Sequence, residues 1–572
     1  MRRNRSREDF HAMVKRIFRF IEREISGLHE AAYLLGFFAL LSQLLGFWRD
    51  RLLASSFGAG ETLDIYYAAF RVPDLIFIWS ASMVSLSVLI PFLTRRMAEG
   101  KESARRFLDT VFTVFFVILV ILCGAAFVGA PRLSLLLFPG FEAAQHASVV
   151  LLMRIMLLQP LLLAISNLYA SVTQLERRFF VYAVSPILYN VGIIAGILLF
   201  YPTFNIAGLA WGVVLGAFLH LLVQIPIIVR SGLLPRITFV PSLSEIKEVI
   251  LVSLPRTFAL SAQNISVLVL TALGSLLGAG SIAIFNFSWN LQAVPLTIIG
   301  ASYSVAAFPT LSGLWNKGNK SEFHRTLLSA IRHIIFWSVP ALVLFIVLRA
   351  QIVRTVLGTG AFDWNDTRLT AAAFALFTLS IVAQSLILLF TRAFYAAGKT
   401  LVPVSIALVG AITTVGGAFL FSYLFESVPF FRYFIESLLR VDDAVGASVL
   451  ALPLAYSTGA ALSALLFMGV FHREFGGLGK DALRTFWESF AASVLMGFAA
   501  YLLLNLLDDI FDLRTTWGIF AQGLFAGLGG IGVGALILYA LGNREIREIW
   551  RTLHHKFWKT KVIGPDPAEG TF

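Results

Sequence analysis

The chain has 572 residues, of which 58% are hydrophobic and 14% charged, and its mean hydropathy is +0.82. This composition indicates a membrane protein with many spans rather than a water-soluble domain. The net charge of +12 is also typical of proteins that bind nucleic acid. However, the cations are spread over many short connections instead of one surface, so we expect no nucleic-acid partner.

The apolar segments come first in chain order. A helix that crosses a bilayer needs about 20 mostly apolar residues, because lipid cannot hydrogen-bond an exposed backbone. Fourteen segments of the sequence are of this kind, at residues 31–48, 73–94, 107–130, 147–171, 179–201, 204–229, 249–277, 281–308, 327–349, 369–396, 401–425, 445–471, 485–507 and 516–541. We therefore predict an all-α polytopic membrane protein with 14 transmembrane helices.

The connections between these segments alternate in charge. Lysine and arginine lie before the first segment, after the even-numbered segments and in the tail. The other connections are poorer in cations: residues 201–205 carry no charge, and Asp508, Asp509 and Asp512 outnumber Arg514. By the positive-inside rule, both termini are predicted to lie in the cytoplasm.

The two ends of the chain are both basic. Residues 1–30 have apolar side chains at helical spacing beside many arginines, which predicts an amphipathic arm at the membrane surface. A signal peptide is the alternative, but no convincing small-residue cleavage site follows, so we expect the first span to be retained. Residues 542–572 are predicted to form a basic cytoplasmic tail.

An internal repeat divides the chain. Residues 90–94 (IPFLT) and 308–312 (FPTLS) are 218 positions apart, and each closes a span before a basic connection. We therefore predict an N-lobe at 31–230 with spans 1–6 and a C-lobe at 231–471 with spans 7–12, followed by spans 13–14 at 472–541. Parallel repeats are typical of transporters, with the substrate bound between the lobes near mid-membrane. We therefore expect two six-helix lobes around a central cavity.

A first group of charges lies around the first two spans. Arg49, Asp50, Asp64, Arg71 and Asp74 flank a short Gly-rich connection at 57–60. Charges in or beside spans are costly unless they face a partner or a wet cavity. They form either ion pairs that fix helix packing or a polar wall where arginine binds phosphate.

A second group lies in spans seven and eight. Arg256 follows Pro255 at the predicted cytoplasmic start of span seven, Asn264 lies two turns deeper, and Asn290 lies in span eight. A helix start with free N–H groups and a cation is a sensible anion site. The alternative for Arg256 is a cation that reaches the membrane surface along its own apolar stem.

Signals of catalysis are absent from the sequence. There is no Gly-rich phosphate loop with Lys-Ser/Thr, the histidines have no ligand spacing, and the single cysteine, Cys123, lies inside an apolar span. Paired aspartates at 442–443 and 508–509 are the one feature that suggests a membrane glycosyltransferase, and solvated turn charges explain them better. We predict no enzyme activity, catalytic residue, metal site or cofactor.

A series of motifs runs over about residues 30–470, at 42–50 (SQLLGFWRD), 57–60 (FGAG) with Asp64, 69–75 (AFRVPDL), 139–141 (PGF), 178–186 with Asn190, 308–312 (FPTLS), 360–362 (GAF) with Asp366, and 392–396 (RAFYA) with Pro403. In content and order these motifs resemble the MurJ (MviN) family of lipid II flippases.

The resemblance implies a fold of the multidrug/oligosaccharidyl-lipid/polysaccharide exporter superfamily. It also implies alternating-access movement of an undecaprenyl-diphosphate-linked sugar, lipid II, between leaflets of the bacterial inner membrane for peptidoglycan synthesis. Cell-wall synthesis enzymes are possible partners. By the family pattern, Arg49, Asp50 and Asp64 match functional positions of the cavity.

The sequence departs from this pattern at the cavity cations. Gln43, Phe77 and Asn290 stand where the family pattern has arginines, and Asp74 replaces an asparagine. Either Arg49, Arg71 and Arg256 bind the diphosphate, or the substrate differs. The alternatives are a flippase for another undecaprenyl-diphosphate-linked oligosaccharide, a drug/cation antiporter, or a non-transporting cell-wall scaffold.

Overall fold

The computed structural model describes residues 28–83, 86–548 and 550. Within them, the side chains of residues 28–33, 83, 86–87, 243, 252 and 255–256 are not described. The predicted amphipathic arm therefore lies outside the described residues except for its last three positions, and most of the predicted tail lies outside them too.

The described part of the chain is built from helices, and no strand occurs in it. The α-helices are α1 (Leu28–Phe57), α2 (Glu61–Met83), α3 (Leu86–Glu99), α4 (Lys101–Leu137), α5 (Ala143–Met156), α6 (Leu158–Leu175), α7 (Phe179–Ala195), α8 (Tyr201–Phe204), α9 (Ile206–Leu222), α10 (Ile225–Ser231), α11 (Leu243–Gly274), α12 (Ser281–Pro295), α13 (Ser302–Asn316), α14 (Lys320–Val347), α15 (Arg349–Val356), α16 (Trp364–Thr378), α17 (Ile381–Ala396), α18 (Leu401–Ser427), α19 (Pro429–Leu439), α20 (Ala451–Phe475), α21 (Gly479–Leu507) and α22 (Thr516–Ala540).

The predicted all-α polytopic class is confirmed. In the described residues, 11 helical segments are long and apolar enough to cross a membrane, and the count is 12 if α16 and α17 form one span bent by 43°. The predicted total of 14 spans is not confirmed by this count. Helices α1 and α2 fall outside it, and α2 carries four charged side chains.

Helix α2 begins at Glu61, well before the start predicted at residue 73. The apolar run misplaced this boundary because Asp64, Arg71 and Asp74 are part of the helix. Such side chains are tolerated in a span when partners inside the protein satisfy them. Asp64, Arg71 and Asp74 each form a hydrogen bond with a group outside α2.

Two spans contain a wider helical turn. Residues Gly196–Phe200 continue α7, and Leu296–Ala301 continue α12, both as π-helix. Such insertions are frequent at functional sites. In α12 the insertion follows Pro295, whose missing N–H breaks the α-helical ladder.

The described chain forms two compact units. The first contains the described residues up to Leu291 together with Val356–Phe377 and Thr400–Ser463. One of its cores lies among α11, α12, α16, α18 and α20, where aromatic rings meet edge to face. Trp289 and Tyr456 are 4.7 Å apart, and Phe285 and Phe377 are 5.4 Å apart, between ring centroids.

The second unit contains Gln292–Thr355, Thr378–Lys399 and the described residues from Ala464 onward. Helix α21 packs between α14 and α22. At one end of these helices Arg332 of α14 lies 3.2 Å from Glu545, a carboxylate that also accepts a hydrogen bond from Thr485 of α21. The segment after α22 is thus tied to two helices of this unit. The lobe boundaries drawn from the repeat remain predictions.

Candidate functional site

A charged group near the end of α1 forms the centre of the candidate site. Arg49 donates hydrogen bonds from Nε and Nη2 to Asp50 Oδ1, at 2.9 and 2.8 Å. Its Nη1 donates to Asn190 Oδ1 of α7 at 3.1 Å. Asp50 Oδ2 accepts from Asn290 Nδ2 of α12 at 2.9 Å. The Arg49 side chain is 22% exposed and that of Asp50 only 4%, so the cation is the accessible member of the pair.

A second arginine, Arg71 of α2, is also bonded by an asparagine of another helix. Arg71 Nη2 donates to Asn286 Oδ1 of α12 at 2.6 Å. One turn on, Asp74 Oδ1 accepts from Gln159 Nε2 at 3.3 Å. The buried atoms Arg71 Nε, Tyr67 Oη and Gln159 Oε1 have no hydrogen-bond partner among the described residues. This part of the site therefore has unused hydrogen-bonding capacity.

Asp64 has a different role from the arginines. Its two carboxylate oxygens accept hydrogen bonds from the backbone N–H groups of Gly280 and Ala283, at 2.6 and 2.8 Å. These groups lie at the N-terminus of α12, where N–H donors lack partners within the helix. A carboxylate is favoured there by the helix dipole as well. Asp64 thus joins α2 to α12.

Backbone contacts join the same ends of the helices. The α1–α2 link (residues 58–60) lies against the α15–α16 link (residues 357–363): Ala361 N donates to Ser55 O at 2.9 Å, and Ala59 N donates to Asp366 Oδ2 at 2.9 Å. It also lies against the α11–α12 link (residues 275–280), where a Cβ on Gly280 would come within 2.0 Å of Ala59 O. We call these three links the link junction.

The structure brings three of the eight predicted site residues into direct contact and places three more along α2. Arg49, Asp50 and Asn290 form one hydrogen-bonded set, while Arg71, Asp74 and Asp64 lie along α2 with partners of their own. Asn264 donates from Nδ2 to Leu260 O within its own helix, and its place in the site stays a prediction. The side chain of Arg256 lies outside the described residues.

The sequence analysis missed several partners of these charges. Asn190, Gln159, Asn286 and Asp366 each bond a group of the site, yet none was predicted to belong to it. Asn190, Gln159 and Asn286 carried one signal, since each is an amide within an apolar span. Their partners are distant in sequence, so no local pattern identified which charge each would meet.

The charges of the site nearly balance. Two arginines, Arg49 and Arg71, lie among three carboxylates, Asp50, Asp64 and Asp74. Buried charges are stable when they are paired in this way. Arg49 has a bonded carboxylate partner, Asp50, whereas the printed partner of Arg71 is the neutral amide of Asn286. No group of three His, Cys, Asp or Glu side chains in the described part of the chain is placed to hold a metal ion.

Several known proteins are similar to this chain in sequence. The family model "Lipid II flippase MurJ" matches residues 53–517. The "Lipid II flippase MurJ" of Burkholderia cenocepacia is 27% identical over 386 residues, which cover 66% of this chain and 75% of that protein. The "Probable lipid II flippase MurJ" of Rickettsia prowazekii is 26% identical over 428 residues, covering 74% of this chain and 82% of that protein.

Solved structures share the fold. A "Lipid II flippase MurJ, inward closed conformation" has a TM-score of 0.71 and 20% identity, and the match covers 89% of this chain and 99% of that one. An inward-facing multidrug resistance MATE family transporter of the MOP superfamily has a TM-score of 0.60 and 17% identity, with 75% of this chain and 95% of that one covered. Because the family model spans most of its length, the chain belongs to the lipid II flippase MurJ family.

Proposed function

We propose that the chain is a lipid II flippase that works by alternating access. The relatives it matches over most of their length carry that name, and the fold is shared with a MurJ structure. A diphosphate-linked sugar cannot cross hydrocarbon unaided, because each buried charge is too costly. The protein must therefore supply a polar path for the head group while the prenyl tail stays in lipid.

The observation that carries this proposal is the arrangement of Arg49. Its guanidinium is partly exposed and is held in place by Asp50 and Asn190. Arginine is suited to bidentate contact with phosphate oxygens. Asp50 occupies the position that a phosphate would take against the guanidinium. We infer that the diphosphate binds Arg49 by displacing Asp50, which keeps its second partner, Asn290.

The link junction supplies the part of the site that must move. It connects residues of the predicted N-lobe, 31–230, with residues of the predicted C-lobe, 231–471. Rocking of the two lobes would break its contacts at one membrane face and open the path there. From the charge pattern of the connections, we infer that this is the outer face and that both termini are cytoplasmic. We also propose that the protein lies in the bacterial inner membrane.

The transport cycle proposed here does not use ATP as its energy source. The sequence contains no nucleotide-binding loop, and the function proposed here requires no catalysis by the chain. A membrane potential of 100 mV is worth about 2.3 kcal/mol per charge moved, which is enough to bias such a cycle. Enzymes that consume lipid II at the outer face would act in the same direction, and we propose them as partners.

Complementation of a bacterium depleted of its own lipid II flippase tests the function, with lipid II exposure at the outer face assayed directly. The chain should restore growth and exposure, Arg49→Ala should abolish both, and Arg49→Lys should restore them only in part. Arg154→Ala is the matched control, because Arg154 lies in α5 and bonds Phe127 O, away from the site. If Arg49→Ala complements as well as the unaltered chain, Arg49 does not bind the substrate.

A second candidate is a flippase for another undecaprenyl-diphosphate-linked oligosaccharide. Asn290 favours it, since this residue bonds Asp50 where the family resemblance implies an arginine. The same assay separates the two, because membrane-inserted chain that exposes no lipid II would support the second candidate. A non-transporting scaffold would instead tolerate Arg49→Ala and Asp64→Ala in restoring growth.

A further inference from the structure

Helix α19 carries an aromatic face that is largely exposed in the described part of the chain. Phe430, Phe434 and Leu438 recur every four residues, which places them on one side of the helix, and Tyr433 lies beside them. These four side chains are between 55% and 80% exposed. An exposed run of large apolar side chains marks an interaction surface.

The opposite face of α19 is fixed to the first unit. Phe431 stacks on Phe421 of α18 at 6.1 Å between ring centroids and meets Phe425 edge to face at 5.4 Å. Ile435 and Glu436 are buried. The aromatic face therefore has one orientation, set by packing on the opposite side of the helix.

The turn after α19 is held as well. Arg368 donates from Nε and Nη2 to the carbonyl oxygen of Arg440, at 3.3 and 2.9 Å. Asn365 Nδ2 donates to Val445 O at 3.2 Å. Both donors lie in the first turns of α16. Helix α19 is thus anchored at both ends and does not need a partner to hold its position.

The position of α19 identifies what covers its face. One residue, Val428, separates it from α18, a candidate membrane span of 27 residues. A helix of that length measures about 40 Å, more than the roughly 30 Å hydrocarbon core, so its end reaches the membrane surface. The side of α18 that bears Ile412, Phe419 and Tyr423 is also exposed and apolar. Both helices therefore carry exposed apolar side chains, and Val428 alone separates them in sequence.

We propose that α19 is an interfacial helix whose Phe430–Phe434 face inserts into the membrane surface at which α18 ends. The occupant is a lipid surface recognised by its apolar boundary rather than by charge, because Arg432 is already paired with Glu436 at 2.9 Å. Interfacial helices of this kind bury their apolar face about 5–10 Å into the boundary between head groups and acyl chains. Helix α19 would thereby fix the depth of the connection between α18 and α20.

Nitroxide labels at single cysteines test the proposal in the full chain. Cys123 is the single cysteine of the sequence and is buried, so Cys123→Ser gives a clean background. Phe434→Cys is the test position, Phe419→Cys on α18 the lipid-facing control, and Asp442→Cys, an exposed turn residue, the water-facing control. The protein is placed in phosphatidylcholine nanodiscs, and collisions of each label with oxygen and with a water-soluble nickel chelate are compared.

We expect the label at residue 434 to behave like that at residue 419, with frequent oxygen collisions and few nickel collisions. Nickel accessibility equal to that at residue 442 would overturn the proposal, because the face would then lie in water. Low accessibility to both reagents would also overturn it, since a protein partner or second copy would then cover the face.

A second comparison tests the lipid chemistry and controls for folding. Replacing a third of the phosphatidylcholine by phosphatidylglycerol should leave the accessibility at residue 434 unchanged, and a marked dependence on the anionic lipid would refute recognition by the apolar boundary.

In Phe430→Ser/Leu438→Ser, the label at 434 should gain nickel accessibility while the label at 419 stays lipid-exposed. Loss of the lipid signature at both positions would indicate misfolding, and Phe430→Tyr/Leu438→Met would then replace that variant, with the signature at 434 expected to be retained.

Discussion

Asn290 of α12 donates a hydrogen bond of 2.9 Å to Asp50 of α1, a residue 240 positions earlier in the chain. Asp50 is held on its other oxygen by Arg49. The amide therefore satisfies a buried carboxylate oxygen without adding charge to the site. Substitutions of Asn290 can therefore separate the contribution of the hydrogen bond to stability from that of charge repulsion.

Asn290→Ala should lower the stability of the chain by about 1–3 kcal/mol, because it leaves a buried carboxylate oxygen without a donor. Asn290→Asp should be worse, because two carboxylates would then face each other. Thermal unfolding in detergent would check the order, with Asn290→Gln as the conservative control. A melting temperature of Asn290→Ala equal to that of the unaltered chain would show that the contact does not stabilise the protein, and equal values for the Ala and Asp variants would contradict the predicted repulsion.

Asp64→Ala should destabilise the end of α12. The substitution leaves the N–H groups of Gly280 and Ala283 without their acceptor, at a cost of about 1–3 kcal/mol for each group that stays buried. Asp64→Asn should cost less, since one oxygen remains to accept. Amide hydrogen exchange at residues 280–283 measures this directly, and unchanged protection in Asp64→Ala would contradict the capping role.

Gly280→Ala should be more damaging than Gly278→Ala. Both glycines have positive φ, +87° and +105°, so each substitution carries backbone strain of about 1–3 kcal/mol. A Cβ at 280 would also meet Ala59 O at 2.0 Å, whereas one at 278 has nothing within 4 Å. Gly278→Ala is therefore the matched control for strain alone. We expect the Gly280 variant to lose lipid II exposure in the complementation assay and the Gly278 variant to keep most of it.

The pair of Arg332 and Glu545 should behave as a buried ion pair. Removing one partner, as in Arg332→Met or Glu545→Met, should cost about 3–5 kcal/mol, because the other charge is left buried. The double variant Arg332→Met/Glu545→Met should recover much of that loss. A double-mutant cycle on the melting temperature gives the coupling, and additive effects of the two substitutions would refute it.

The ion pairs between α3 and α11 should contribute less to the stability of the chain than the Arg332–Glu545 pair. Arg96 pairs with Glu245, and both side chains are about a fifth exposed, whereas Arg95 pairs with Glu248 at 3.3 Å and both side chains are half exposed. Arg96 also bonds Glu99 and thereby lowers the pKa of that carboxyl, so this bond is present at neutral pH and is lost as the pH falls through the lowered value. Exposed pairs are worth about 0–1 kcal/mol. Glu248→Gln should therefore shift the melting temperature little, and a large shift would show that the Arg95–Glu248 pair holds α3 and α11 together.

Periodicity and charge predicted much of this molecule. Long apolar runs identified the polytopic helical class, because lipid leaves the backbone few alternatives. The charges around the first two spans flank the short link that joins α1 to α2, and the site predicted from them stays a prediction. The start of α2 was misplaced because hydropathy alone cannot show that Asp64 and Arg71 have partners.

The partners themselves required the three-dimensional structure. Asp366 bonds Ala59 across 307 positions, and Asn190 bonds Arg49 across 141. Neither contact has a local sequence signature, because each depends on how helices distant in sequence pack. Asn264 had the same type of signal as Asn286, an amide in a span, and both donate to a carbonyl of their own helix, but Asn286 also accepts a hydrogen bond from Arg71. Residue type alone therefore cannot separate site residues from self-satisfied ones.

The link junction has a thermodynamic consequence. Its described contacts are made largely by backbone N–H and C=O groups, with Gly58, Gly280 and Gly360 leaving no side chain at the points of closest approach. Parting the links would expose mainly polar groups, for which water can substitute, and little apolar surface. Heat-capacity changes follow apolar exposure. The equilibrium between closed and parted links should therefore have a small heat-capacity change and a van't Hoff plot that is close to linear.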